Sequence, residues 1–339
     1  MKICIMGPIT TRSYYGGVAI FDEGLAKGFK EMGHQVVVYT SQKEEAINLT
    51  GIPVKKVSWN SVRKLFKEDN PDVVIASLQY AKYLSIIQTS AKKIYFLHGF
   101  FNSKSYGYFK CILAAIYQKY LVNLCDMIYA NSYFTAMINE EMFRIKSDKV
   151  IHIGVGDTIL NNVSSGIESK KNKTIFFAGR LVPAKGIEKI LEALKILNSE
   201  NIEYKMIIAG TGSLKSELEK TVDEHGLNVE FVGKKSQEEV LEYYKESEIF
   251  ISLNQSEPFG IVFAEALIFG CKIICPITGG QNEFLKDYPE RVKTLESLEP
   301  KYIAEAIKGA FMMQNEKIEI KEVTERFRYK NIALKFLEE

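Results

Sequence analysis

Two glutamates separated by seven residues, Glu257 and Glu265, bracket the stretch of this chain richest in chemistry, Glu-Pro-Phe-Gly-Ile-Val-Phe-Ala-Glu. Pro258 and Gly260 dictate a tight turn. The amides of Phe259, Gly260 and Ile261 then open toward whatever precedes the apolar helix that follows, where a helix N-terminus attracts anions. Glu265 falls near that helix's second turn among Ala264, Ala266 and Leu267. A carboxylate there is costly unless something pairs with it; sugar hydroxyls are suitable donors, and a structural salt bridge is the alternative. Upstream, Gly179-Arg180-Leu-Val-Pro-Ala-Lys185-Gly186 sets two cations five positions apart around a turn into another helix. Such a pair can clamp a diphosphate, Arg by its fork and Lys as a point charge, although surface cations are common and this motif alone does not decide the matter.

Near the start, Gly16-Gly17 opens a helix after a strand and a loop, a place where a phosphate can approach closely or where the glycines only make a turn. A nicotinamide enzyme would want Gly-x-Gly-x-x-Gly there and an acid at the end of the second strand. The chain offers Gly7 alone, then Gly16-Gly17, and the second strand ends Val38-Tyr39-Thr40, which argues against dinucleotide redox chemistry. Metal chemistry lacks its ligands: the four histidines (His34, His98, His152, His225) are far apart, the five cysteines form no Cys-x2-Cys pair, and no Asp-x-Asp occurs.

What must position these residues is an alternation of short β-branched runs and longer amphipathic stretches, the pattern of parallel sheets covered by helices. Strands are predicted at 2–6, 35–39, 73–76, 94–97 and 127–130, with helices at 18–32, 80–89, 106–123 and 134–143. A second set of strands follows at 174–178, 205–209, 229–232, 249–252 and 272–275, with helices at 186–198, 214–224, 237–247 and 262–268. A polar stretch lacking apolar periodicity predicts a hinge near 155–172, and two further helical patterns lie beyond 298, the last at about 331–338. The 339 residues, 46% hydrophobic and 25% charged, suffice for two globular domains. No stretch is apolar for long enough to span a bilayer, and scattered cysteines in apolar surroundings suit a reducing, cytoplasmic setting. The formal charge of +2 divides unevenly: residues 1–165 carry 19 Lys+Arg against 13 Asp+Glu, and residues 166–339 carry 25 against 29. That basic bias suits an anionic surface and falls well short of a nucleic-acid binder, so no nucleic-acid partner is expected.

Taken together, these residues resemble the signature of retaining glycosyltransferases with two Rossmann-like domains (the GT-B fold), in particular family 4, also called glycosyl transferases group 1. The resemblance runs through Gly16-Gly17, His98 after Tyr95-Phe96-Leu97, Arg180 and Lys185, Gly210-Thr211-Gly212, the Glu257 motif, and Gly279-Gly280-Gln281-Asn282-Glu283. It implies an α/β chain with an acceptor-side domain at 1–160, a donor-side domain at 161–326 facing it across a cleft, and a C-terminal helix at 327–339 returning to the first domain. Arg180 and Lys185 would then neutralise the donor diphosphate, Glu257 would hold sugar hydroxyls and Glu265 the ribose. The amides of Phe259, Gly260 and Ile261 and the Gly16-Gly17 loop would lie against sugar and phosphate. His98 would stand near the reacting centre, with a packed core histidine as the alternative. Loops around Gly210, Gly212, Gly233 and Lys234 would meet the base.

The implied activity is metal-independent transfer, with retention, of a hexosyl or N-acetylhexosaminyl group from a nucleotide diphosphate sugar, UDP favoured over GDP. No cofactor is implied beyond that co-substrate, and the acceptor would be a glycan, glycolipid or polyprenyl-linked molecule in surface glycoconjugate synthesis. A nucleotide-sugar epimerase and a non-catalytic nucleotide-sugar binder are the alternatives. The aromatic and basic stretch from Phe100 through Lys104 and Lys110 to Lys119 and Leu121 departs from a plain soluble enzyme. It suits contact with an anionic membrane at the inner face or with a lipid-linked acceptor, against an ordinary core helix.

Overall fold

The computed structural model describes residues 1–14, 16–101, 107–163, 170–314 and 320–338. Lys104 and Tyr106, and part of the expected hinge, lie outside them. The chain divides into two compact units, one formed by residues 1–157 with 325–339 and the other by 158–324.

In the first unit, β1 (Lys2–Met6), β2 (Gln35–Thr40), β3 (Val54–Lys56), β4 (Val73–Ser77), β5 (Lys92–Leu97), β6 (Met127–Ala130) and β7 (Lys149–Val150) form a parallel sheet ordered β3-β2-β1-β4-β5-β6-β7. Ile3 of β1 lies opposite Val36 on one side and Val73 on the other. The central strands read as near-continuous apolar runs because helices cover both faces, as in β4, where all five residues are buried. Helix Gly17–Glu31 lays Phe21, Leu25 and Phe29 on the sheet at four-residue spacing and stops before Gly33, whose φ is 83°.

The second unit repeats the architecture. Its strands β8 (Lys171–Ala178), β9 (Lys205–Ala209), β10 (Val229–Gly233), β11 (Ser247–Ile251), β12 (Lys272–Pro276) and β13 (Val292–Leu295) are parallel in the order β10-β9-β8-β11-β12-β13. Helix Ile187–Ser199 buries Ile187, Ile190, Leu191, Leu194 and Leu197 in its core. Both strand orders reverse direction once, between β1 and β4 and between β8 and β11, and in open parallel sheets ligands bind outside the strand carboxyl ends at such a reversal.

Several expectations need correction. The segment expected as an α-helix at 80–89 is a 3-10 helix, Leu78–Ile86. Its buried residues, Tyr80 with Tyr83 and Ala81 with Leu84, recur at three, the spacing that a 3-10 helix eclipses. Among the described residues three helices rather than two follow residue 298, Pro300–Met312, Ile320–Phe327 and Tyr329–Leu337, because Arg328 takes an extended ψ of 128° between the last two. The expected hinge contains a short helix, Asp157–Asn161, that buries Ile159 and Leu160, and β8 begins at Lys171. Strands β3, β7 and β13 and helices Val62–Asp69 and Asn282–Leu285 were not anticipated; all are short.

Helix Tyr329–Leu337 completes the first unit. Its Phe336 ring sits 5.5 Å from both Phe96 and Tyr129 and 6.3 Å from Phe21 and Phe29. Helix Gly17–Glu31 can receive it only through glycines: a Cβ on Gly24 would lie 2.2 Å from the Tyr329 ring, and one on Gly28 would lie 2.5 Å from the Tyr329 carbonyl. Lys149 donates to the carbonyls of Lys335 and Glu338 at the helix's end, both at 2.8 Å. Phe336→Ala should therefore cost about 3–5 kcal/mol, read as a lowered midpoint in urea unfolding, with a matching loss for Gly24→Ala; a midpoint unchanged in both variants contradicts this packing.

Candidate functional site

At the reversal of the second sheet, the chain leaving β8 meets the chain leaving β11. Gly179 and Arg180 follow β8, and a one-turn 3-10 helix, Pro183–Lys185, presents Lys185. Gly186 then takes a φ of 68°, where a Cβ would lie 2.8 Å from that of Leu253, so the loops after β8 and β11 touch backbone to side chain. The Leu253 amide donates to the Lys185 carbonyl at 3.3 Å. Across this seam the Lys185 ammonium lies 2.6 Å from Glu257 Oε2, which also accepts from Asn254 Nδ2 at 2.8 Å. The pair is mostly buried, with side-chain exposures of 19% and 15%. Arg180 is exposed, and among the described residues its guanidinium has no partner.

The glycines form a flat floor beside the pair. A Cβ on Gly210 would lie 1.8 Å from the Gly179 carbonyl oxygen, one on Gly212 would lie 2.1 Å from that of Leu181, and the Gly210 amide donates to the Gly233 carbonyl at 2.7 Å. Lys234 follows exposed. On the other side, Gly260, at a φ of 83°, caps helix Ile261–Ile268, and the Gly280 amide ties the Gly279-Gly280 loop to the Glu257 carbonyl at 2.9 Å. Phe259 buries its ring against Phe284, leaving only its backbone to face a ligand.

Glu265 stands apart from the Lys185–Glu257 pair. Its carboxylate accepts from Tyr244 Oη at 3.0 Å, and burial pushes its pKa up to about 7 against the smaller, opposing effect of that hydroxyl. Among the described residues it has no cation partner, so the structural salt bridge considered for it is absent.

The first unit gathers a different set at its own reversal. Gly16 caps helix Gly17–Glu31, and a Cβ on Gly17 would meet nothing within 4 Å, so that face of the loop is open. His98, after β5, lies with Nε2 2.8 Å from Ser77 Oγ at the end of β4, and Ser77 Oγ is 2.7 Å from Oδ1 of Asp22 on the helix after β1. The His98 ring packs edge-on to Phe21 and Phe96, and burial lowers its pKa to about 3. It lines a cavity of about 450 Å³ walled by Leu78, Phe96, Phe100, Tyr117 and Leu121, with Gln79 and Gln118 adding amide groups. The sequence pointed to neither Asp22, Ser77, Asn254 nor Tyr244. The available signal for Asp22 was an acid between Phe21 and Leu25 on the apolar side of its helix. Among the described residues, no group of three His, Cys, Asp or Glu could hold a metal ion.

The pattern of glycosyl transferases group 1 matches residues 161–327, and that of glycosyltransferase family 4 matches residues 15–156. The chain belongs to this glycosyltransferase family. An uncharacterized glycosyltransferase of Methanocaldococcus jannaschii is 25% identical, with 94% of this chain and 92% of the relative covered. Among solved structures, a glycosyltransferase from Rickettsia africae superimposes with a TM-score of 0.76 at 18% identity, covering 99% of this chain and 96% of that one. Anabaena HepE, solved with UDP and glucose, gives 0.69 at 18% identity, covering 99% and 98%. The fold of this glycosyltransferase is thus GT-B, two parallel-sheet Rossmann-like domains.

Because folding raises the Glu265 pKa from 4.5 to about 7, the folded chain keeps a proton that the unfolded chain has released in that window. The stability contributed by Glu265 is complete below the window and lost as pH climbs through it. The difference in melting temperature between wild type and Glu265→Gln, which stays neutral, should shift against wild type from pH 5 to pH 8. A difference constant with pH would contradict the raised pKa.

Proposed function

We propose that this glycosyltransferase moves a hexosyl or N-acetylhexosaminyl group, with retention and without a metal ion, from a nucleotide diphosphate sugar, UDP favoured, to a lipid-linked acceptor. The observation that carries the donor half is the Lys185–Glu257 pair at the reversal of the second sheet. Without donor, each charge satisfies the other. A diphosphate arriving beside the unpartnered Arg180 offers Lys185 a doubly anionic partner, and Lys185 turning to it leaves the Glu257 carboxylate free to accept from sugar hydroxyls. One exchange of partners thus neutralises the leaving group and orients the sugar. The two side-chain cations take the role that a divalent ion fills elsewhere, stabilising charge as the nucleoside diphosphate departs. Glu265, as a carboxylate, accepts from the ribose, and the amides of Gly260 and Ile261 at a helix start suit a phosphate or sugar oxygen. The UDP and glucose of Anabaena HepE support a UDP-sugar donor.

Nucleotide release from a panel of UDP- and GDP-sugars, with and without a membrane-lipid extract, tests this reading. Release should depend on one donor and rise with extract, and Lys185→Ala and Glu257→Ala should each lower kcat about 100-fold or more. Conversion of the donor's sugar without any acceptor would instead mark an epimerase. Tight nucleotide binding without release would mark a non-catalytic binder.

The lipid half rests on helix Tyr108–Val122. Tyr108, Ile112, Ile116 and Tyr120 recur at four-residue intervals beside Phe109, Leu113 and Tyr117, and all seven are exposed. At 3.6 residues per turn they share about 180° of the helix surface. Cys111, Gln118, Leu121 and Val122 face inward, and Lys110 and Lys119, exposed and without an ion pair among the described residues, stand near the margins of the apolar face. The helix carries no acid. This arrangement matches an anionic bilayer surface, with apolar rings at the acyl boundary and ammonium groups at the headgroups. A second copy on the same face would bring like charges together. The cavity beside His98 shares Tyr117 with that face, which suits the chain of a lipid acceptor. No helix among the described residues is long and apolar enough to cross a membrane. Flotation with anionic vesicles should carry the protein up, and Phe109→Ser with Leu113→Ser and Ile116→Ser should leave it at the bottom; flotation unchanged by the triple substitution rejects the bilayer contact.

A further inference from the structure

We propose that Asp22 and Ser77 are positioning residues that fix His98 as a neutral imidazole protonated on Nδ1, so that it offers an N–H donor to a substrate oxygen and does not act as a base. The proposal deepens the glycosyltransferase reading of the site and rests on it for the identity of the substrate alone.

The three residues come from separate elements: Asp22 from the helix after β1, Ser77 from the end of β4 and His98 from the loop after β5. The strand order β1-β4-β5 makes them neighbours, and they form one chain, Asp22 Oδ1 to Ser77 Oγ at 2.7 Å and Ser77 Oγ to His98 Nε2 at 2.8 Å. Ser77 has a single proton to give. If Asp22 is ionised, that proton goes to the carboxylate, Nε2 must donate to Ser77, and Nδ1 is bare. If Asp22 is a neutral acid, its O–H can serve Ser77, Ser77 then donates to Nε2, and the imidazole proton sits on Nδ1.

The surroundings of Asp22 choose between these. It is completely buried, and among the described residues its second oxygen, Oδ2, has no hydrogen-bond partner. That oxygen is sealed by Gly7, where a Cβ would lie only 1.9 Å away. Among the described residues no ion pair reaches Asp22. The titratable groups around it are Glu23 on the same helix, Tyr14 in the preceding loop and His98 itself, none of them a cation at neutral pH. An ionised carboxylate would leave a buried charge with the Ser77 hydroxyl as its one donor and Oδ2 bare among the described residues, whereas a neutral acid leaves only a carbonyl oxygen, a far smaller penalty. Burial accordingly raises the Asp22 pKa well above the ordinary value, with Glu23 adding and the Ser77 bond opposing.

The consequence reaches the substrate side. Among the described residues, Ser77 is the only hydrogen-bond partner of the His98 ring, and the ring lines the cavity described above. With Nε2 engaged, Nδ1 is the nitrogen left for a ligand. A protonated Nδ1 selects an acceptor oxygen of a substrate there, and is unsuited to taking the proton of an incoming hydroxyl.

Nitrogen-15 NMR of histidine-labelled full-length protein at pH 7, with His98 assigned by His98→Gln, reads the tautomer directly and needs no turnover. Protonation on Nδ1 is expected; protonation on Nε2, or the tautomer mixture of a free imidazole, overturns the proposal. Ser77→Ala should relax His98 to that mixture and lower kcat/KM roughly tenfold, the effect of about 1.4 kcal/mol. Asp22→Asn, whose amide N–H can replace the acid O–H, should restore the Nδ1 proton and most of the activity that Asp22→Ala loses. Loss of the tautomer in Asp22→Asn would also overturn the proposal. If no sugar donor is turned over, the glycosyltransferase reading fails while the tautomer measurement still decides this one.

Discussion

Every described strand of this chain runs parallel to its neighbours within its sheet, and that constraint governs where chemistry can occur. Parallel pairing sends each strand's outgoing loop to one edge, and covering helices close that edge except where the strand order reverses. Around the opening between β8 and β11 stand Arg180, Lys185, Asn254 and Glu257; around the one between β1 and β4 stand Gly17, Asp22 and Ser77, with His98 one strand further on. The glycines serve the same constraint. Gly210, Gly212 and Gly186 lie where neighbouring loops leave their strands so close together that side chains would collide. The floor of the second unit's site is backbone for that reason.

The charged groups at these openings are handled in two physically distinct ways. Lys185 and Glu257 compensate each other, so their pairing is stable without ligand and exchangeable with one. Asp22, fully buried, and Glu265, half-buried, have no cation partner among the described residues, and desolvation shifts both toward the neutral form. Asp22 is sealed against Gly7, while Glu265 keeps a hydroxyl partner and a pKa of about 7. The first is pushed well toward its neutral form, and the second stands at the edge of changing state under ordinary conditions.

Much of this was legible in the sequence, for identifiable reasons. β4, Val-Val-Ile-Ala-Ser, is buried on both faces and so is apolar throughout, which makes it readable without a partner; β7 is two residues of Lys-Val at a sheet edge and carries no pattern. Arg180, Lys185, Glu257 and Glu265 were visible because glycine and proline fix their turns locally. That Lys185 would pair with Glu257 was not, since 72 residues separate them and only the adjacency of β8 and β11 joins their loops. The link from Asp22 through Ser77 to His98 escaped for the same reason, although His98 itself was named from the sequence. The 3-10 turn at Leu78–Ile86 was misread because spacings of three and four overlap over so short a run.

The return of helix Tyr329–Leu337 to the first unit makes that unit discontinuous in sequence, with the whole of residues 158–324 inserted between its parts. On the ribosome, the order of completion is therefore the reverse of the order of appearance. The first unit's sheet emerges early, but the Phe336 ring that fills its core against Phe21, Phe96 and Tyr129 arrives last. The second unit has every residue of its own core available before then. Its maturation need not wait for helix Tyr329–Leu337, whereas the first unit's must, and the apolar surface of helix Gly17–Glu31 that this helix covers stays bare until then.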